Sequence, residues 1–214
     1  MMTAIDMSGL VHKTARVNGL NFHYVEAGKG PLVILLHGFP EFWYSWRQQI
    51  PALVEAGYRV MAPDMRGYNL TDSPSKTSNY TIDLLAADVV GLIQHAGEQN
   101  AHVVGHDWGA AIAWHVAMRY PKMVNQLAIL NGPHPKVFER GIWRPSQLLR
   151  SWYMFFFQIP FLPELYMSKR YPKVMRKIST KHYVNQGKLS LNDIDVYSKV
   201  FKDRKSVRGP INYY

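Results

Sequence analysis

The hydrophobic pattern of the chain reads as strands alternating with helices. Pro31 to Leu36 is a continuous apolar run, the signature of a strand buried on both faces, and Tyr58–Ala62, Ala101–Val104 and Gln126–Leu130 read as further strands. Pro63-Asp64 stops the second of these. Glu41 to Ala56 is apolar at Phe42, Trp46, Ile50, Leu53 and Val54, a helical stripe closed by Gly57, and Thr81 to Ala96 carries Ile82, Leu85, Val89, Leu92 and Ile93 on one face. Val17 to Glu26 has a glycine at a turn position followed by alternating side chains, which predicts an antiparallel hairpin arm at the sheet edge. The alternation predicts an α/β fold with a mostly parallel, doubly wound sheet, and no repeat or low-complexity segment interrupts it.

After Asn131-Gly132-Pro133-His134-Pro135 the texture changes. Residues 136–214 are helix-like, aromatic and basic, with breaks expected at Pro145, Pro160, Pro163, Pro172 and Pro210 and no buried parallel strand. Two parts are therefore expected, 1–135 and 136–214.

The chemistry points to Gly105-His106-Asp107-Trp108-Gly109, between the strand at Ala101–Val104 and the helix-like Ala110–Ala117. Glycines two places before and after a central residue, between strand and helix, form the pattern of a nucleophile elbow, whose tight turn leaves no room for side chains at the flanking positions. The central residue is a carboxylate, which attacks carbon to form an ester and so suits opening an epoxide or displacing a halide. An ordinary strand-to-helix turn with an Asp near the helix start is the plain alternative. The run Pro31–Leu36 ends in His37-Gly38-Phe39-Pro40, a glycine-containing loop able to aim amides at a neighbouring elbow. The N–H groups of Phe39 and Trp108 would then form an oxyanion hole.

These segments, with Trp43, Trp46-Arg47 and Pro63-Asp64-Met65-Arg66-Gly67-Tyr68, give four ordered motifs over about half the chain. Together they resemble the α/β-hydrolase family, epoxide hydrolase branch. The resemblance implies an α/β-hydrolase core in 1–135 and a helical cap, inserted after the sixth strand, in 136–214. It implies that Asp107 is the nucleophile, attacking the less hindered or benzylic carbon of a small apolar epoxide, with His37, Phe39 and Trp108 lining the substrate. Within the aromatic run Ser151–Gln158, Tyr153 matches the family's first ring-opening tyrosine. Ile211-Asn212-Tyr213-Tyr214 matches the second, placing that role on Tyr214. The plain reading of the run is a cap helix whose rings mostly pack on the core. Opening an epoxide releases a strongly basic alkoxide, which two phenols can protonate, whereas a halide leaves without a proton. A haloalkane or haloacid dehalogenase is the competing enzyme class. Phe39, at a position where many dehalogenases have Asn, and the two tyrosines favour the epoxide.

The family hydrolyses the ester with a His-activated water, the His oriented by an acid, and both normally follow the cap. This chain stops at Tyr214, its nine histidines end at His182, and His37, His102, His106, His115 and His134 read as structural. No carboxylate follows the sixth strand. The last strands of the sheet are expected to be missing, leaving about two thirds of an epoxide hydrolase with impaired turnover. Three origins are open: a fragment or truncated product, which needs no further assumption, a split enzyme completed by another polypeptide, or a non-catalytic binding protein. The edge of the strand at Gln126–Leu130 is expected to be exposed and available to self-association or a complementing chain.

Composition adds little beyond this. No cysteine is present, so disulfides and thiolate metal sites are excluded, and no metal or cofactor is expected. Met1 to Arg16 holds no sustained apolar stretch and no run is long enough to span a bilayer, so a cytoplasmic protein without membrane contact is expected. The net charge of +10 is uneven: residues 1–135 carry 9 basic and 10 acidic side chains, residues 136–214 carry 16 and 5. Short clusters at Lys169-Arg170, Arg176-Lys177 and Lys202–Lys205 read as a solvated helical face, and no nucleic-acid partner is expected.

Overall fold

A computed structural model describes residues 9–170, 177, 184–186 and 189–214. Its six strands are β1 (Val11–Val17), β2 (Leu20–Ala27), β3 (Leu32–Leu36), β4 (Arg59–Pro63), β5 (Ala101–His106) and β6 (Val124–Leu130), in the order β1-β2-β4-β3-β5-β6. β1, β2 and β4 pair antiparallel, while β4, β3, β5 and β6 run parallel. The expected hairpin arm is present, turning at Asn18-Gly19 with both residues at positive φ. β1 itself escapes the hydrophobic pattern because Val11 to Thr14 are all exposed, as befits an edge strand.

Both faces of β3 are covered. Ile34 and Leu36 face one layer with Leu85, Val89 and Leu92 of α2 (Ile82–His95) and Ile112, Ala113 and Val116 of α3 (Trp108–Arg119). Val33 and Leu35 face the other, with Val60, Ala62, Trp43, Trp46 and Ile50. This two-sided burial explains the unbroken apolar run.

The expected single helix over Glu41–Ala56 is instead a 3₁₀ turn, Trp43–Trp46, followed by a short α1, Gln49–Glu55. Pro51 lies at the third position of α1, where its ring excludes the carbonyl four residues back and prevents the helix from extending towards the turn.

Six helices follow β6 among the described residues: α4 (Pro135–Gly141), α5 (Pro145–Arg150), α6 (Trp152–Phe157), α7 (Leu162–Lys169), α8 (Leu191–Val200) and α9 (Arg204–Ile211). Prolines expected as breaks act differently. Pro145 and Pro163 lie in the first turns of α5 and α7, where a missing N–H costs nothing, and Pro210 lies within α9. Gly209 before it has no Cβ to clash with the proline ring. Pro172, Arg176 and His182 lie outside the described residues. Of the five rings in the run Ser151–Gln158, expected mostly to pack on the core, Trp152, Tyr153 and Phe155 are exposed, and Phe157 packs against the core. Among the described residues no helix is long and apolar enough to cross a membrane.

Candidate active site

β3 and β5 are parallel neighbours, and Leu36 at the end of β3 pairs with Gly105, one residue before the end of β5. β4 lies on the other side of β3, so the chain direction across the sheet switches between β3 and β5. In open α/β sheets the crevice at such a switch point takes the ligand. The loop His37–Pro40 leaves β3 and the elbow leaves β5 into this crevice.

Asp107 sits at φ 54° and ψ −118°, a conformation that non-glycine residues rarely adopt. The flanking glycines are required by contact. A Cβ on Gly105 would lie 2.3 Å from the Gly109 carbonyl oxygen, and one on Gly109 would lie 2.2 Å from that of Leu36. Gly38 fits as closely, since a Cβ there would meet Asp107 Cβ at 2.3 Å and Oδ1 at 2.5 Å. That proximity lets the Phe39 N–H donate to Asp107 Oδ1 at 2.8 Å. The Trp108 amide makes no hydrogen bond to this carboxylate among the described residues. The rings of Phe39 and Trp108 both touch Tyr214.

His37, expected to line the substrate, is 1% exposed and both its ring nitrogens are engaged. Nε2 accepts from the Met65 N–H at 2.9 Å, which leaves Nδ1 protonated and donating to the Gly38 carbonyl at 2.9 Å. Burial, opposed by that bond and by nearby carboxylates, holds the imidazole below its ordinary pKa, so it stays neutral. Its observed work is to brace the loop carrying Phe39.

The two tyrosines come together. The Tyr214 ring lies edge-on to Trp108 at 5.2 Å, to Phe39 at 5.7 Å and to Tyr153 at 5.8 Å between centroids. Phe157 closes the cluster 4.8 Å from Tyr214, and the Gln158 side-chain amide donates to the Tyr214 carbonyl. Burial, and then the charge of Asp107, push the Tyr153 phenol above its usual value, so it remains protonated and within electrical reach of the carboxylate.

Sequence reasoning missed one partner of the elbow and one buried carboxylate. Glu41 follows Pro40 in the loop, and its Oε2 lies 3.1 Å from His106 Nδ1. Burial raises Glu41, but the His106 hydrogen bond and charge outweigh it and hold the carboxyl below its ordinary range. The Glu41 hydrogen bond, against burial, holds His106 above its own. Second, Asp64 is fully buried after β4, where it accepts from the Trp43 N–H at 3.1 Å and from Asn69 Nδ2 at 2.7 Å and pairs with His23 at 2.6 Å. It ties the 3₁₀ turn to the sheet. The Glu41–His106 and Asp64–Trp43 contacts span 65 and 21 residues, and nothing in the local pattern links them.

The chain matches the model of the alpha/beta hydrolase fold family over residues 31–200. The chain belongs to the α/β-hydrolase fold family. Its curated relatives include human "Epoxide hydrolase 4", 45% identical over 204 residues that cover 92% of this chain and 56% of the relative. The "AB hydrolase superfamily protein YfhM" of Bacillus subtilis (strain 168) is 40% identical over 97% of this chain and 73% of its own length. Among solved structures, a mutant epoxide hydrolase from Bacillus megaterium in complex with a naphthyloxy-propane diol product superposes with a TM-score of 0.84 and 36% identity. That match covers 94% of this chain and 70% of the solved one. The chain spans little more than half the length of the human relative. Within this α/β-hydrolase frame, Tyr214 touches the rings of Phe39 on the loop, Trp108 on the elbow and Tyr153.

Proposed function

We propose that this chain carries the ring-opening machinery of an epoxide hydrolase, with residues 136–214 as its cap. The observation that carries the reading is the cluster of Tyr153 and Tyr214 beside the aspartate on the elbow, the arrangement an alkoxide leaving group needs. An Asp107 oxygen attacks a carbon of a small apolar epoxide. A carbon–oxygen ester bond forms as the ring carbon–oxygen bond breaks, and the released alkoxide takes a phenolic proton from Tyr153 or Tyr214, which water later restores. The Phe39 N–H already engages Oδ1 and would steady charge on the ester oxygen; the Trp108 N–H is the second proposed donor. The diol product in the Bacillus megaterium structure supports a vicinal diol as the end point.

Release of that diol needs a base to activate water. His37 has both nitrogens committed to backbone, and His106 has Nδ1 committed to Glu41. With the histidines of the loop and the elbow so engaged, the ester is expected to accumulate on these 214 residues. The last position of β6 in the sheet order, with Leu130 exposed, supports pairing of this edge with a further strand, from a second copy or another polypeptide. A dehalogenase is the weaker reading, because a departing halide needs no proton from the paired phenols.

The test is intact-mass measurement of the 214-residue chain incubated with excess styrene oxide. One added substrate mass, absent in Asp107→Asn, is the expected result. Sustained diol formation without a labelled protein would overturn the reading of the ester, and labelling unaffected by Asp107→Asn would overturn the nucleophile.

A further inference from the structure

The segment Pro63–Tyr68 marks the family resemblance, yet it touches none of the reacting groups named above. Its Arg66 is 5% exposed and its side chain is fully engaged. Nε and Nη2 donate to the two oxygens of Asp88, both at 2.7 Å, and Nη1 donates to the Asn79 carbonyl at 2.7 Å. Asn18 Nδ2 adds a 2.9 Å bond to Asp88. A side chain held at three nitrogens fixes its own backbone, so the Arg66 carbonyl is a rigid point beside the crevice. The Tyr213 hydroxyl donates to that carbonyl at 2.8 Å in a buried setting.

The contact depends on how α9 is seated. Gly209 lies against Gly67 so closely that a Cβ on Gly209 would meet the Gly67 oxygen at 2.5 Å and its Cα at 2.7 Å. A Cβ on Gly67 would meet Gly209 Cα at 2.9 Å. The Tyr213 ring fills the space beyond this seat, edge-on to Tyr68 at 5.2 Å and to Trp108 at 5.7 Å. Tyr214 is the next residue, beyond the end of the helix.

We propose that Tyr213 is a positioning residue for Tyr214. Its hydroxyl fastens the end of α9 to the Arg66 carbonyl, over the Gly67–Gly209 contact, so that the Tyr214 ring is held against Trp108, next to Asp107, and against Phe39. The inference rests on the reading of Tyr214 as a proton donor to the opening epoxide. It gives the Pro63–Tyr68 segment a task in that reaction, executed through its backbone. Packing alone would need only the ring, whereas positioning needs the hydroxyl, and Tyr213→Phe separates the two.

The test uses the 214-residue chain and Tyr213→Phe, with melting temperatures recorded for both. Two probes report on Asp107, counting only label that Asp107→Asn abolishes. Styrene oxide needs a proton as its ring opens; benzyl bromide expels bromide and needs none. Tyr213→Phe is expected to slow labelling by styrene oxide about threefold to tenfold, the range for one lost hydrogen bond, and to leave benzyl bromide labelling within about twofold. In a Tyr214→Phe background the same change is expected to add nothing, because both act through one phenol. Equal slowing with both probes would mean a general disturbance and would overturn the proposal. So would an unchanged styrene oxide rate. A second readout needs no chemistry: the ring resonance of Tyr214 in ¹³C-tyrosine-labelled protein, shifted by its contact with Trp108, is expected to move in Tyr213→Phe. If styrene oxide fails to label the parent chain while this resonance still moves, the positioning stands and the epoxide reading falls. An unmoved resonance overturns the positioning whatever the chemistry.

Discussion

Replacing Arg66 by methionine tests the buried ion pair that holds the Pro63–Tyr68 segment to α2. Arg66 and Asp88 are 5% and 1% exposed, and the guanidinium supplies two of the three hydrogen bonds to the Asp88 carboxylate. Arg66→Met would leave that carboxylate with only the Asn18 amide. Removing one member of a buried pair costs about 3–5 kcal/mol, because the remaining charge is desolvated without compensation. At roughly 2–4 °C per kcal/mol for a chain of this size, the melting temperature is expected to fall by roughly 6–20 °C. Burial already holds the Asp88 pKa above its ordinary 3.8, against the pull of Arg66 and Asn18. Without Arg66 it rises further. For an acid with a raised folded pKa, the penalty is full above that pKa and vanishes below the unfolded value, so the deficit of the variant is expected to shrink as pH is lowered. Urea denaturation at neutral and mildly acidic pH measures both effects. Arg66→Met/Asp88→Leu, which removes the stranded charge, is expected to recover more than half of the loss. A deficit below about 1 kcal/mol, or a double variant less stable than the single one, would refute the reasoning.

Gly38→Ala places a methyl 2.3 Å from Asp107 Cβ and must displace either the carboxylate or the loop that carries Phe39. A folded variant, verified by circular dichroism, is expected to be labelled by styrene oxide about ten- to a hundredfold more slowly, the value of a hydrogen bond to a charged group; an unchanged rate would contradict the geometry. The Glu41–His106 pair sets a pH window. The raised His106 pKa stabilises the fold fully below 6.5 and less as pH climbs through its folded value, while the lowered Glu41 pKa stabilises fully above 4.5 and less as pH falls through its own. Glu41→Gln is expected to lower the His106 midpoint seen by NMR and to erase the parent's stability advantage most clearly between about pH 4.5 and 6.5; a His106 midpoint that does not move would rule out the pairing.

The sequence alone determined the parallel core and the position of the elbow. A strand buried on both faces must be apolar throughout, as Leu32–Leu36 is, and a strand-to-helix turn this tight admits only glycine at positions 105 and 109. Both constraints act over a few residues, so both are written in the local pattern. Strand β1 is weakly marked because an edge strand turns polar side chains outward, and Pro210, a residue type that predicts a helix break, lies inside α9 because Gly209 accommodates it. Only the tertiary structure decided what surrounds Asp107. It turned both nitrogens of His37 to the backbone, paired Glu41 with His106 across 65 residues, and brought the Tyr213 hydroxyl to the Arg66 carbonyl across 147. These contacts join segments whose separation along the chain carries no periodic signal. Their partners are chosen by the order of strands across the sheet and by the seat of α9 on Gly67, neither of which any local stretch of sequence specifies.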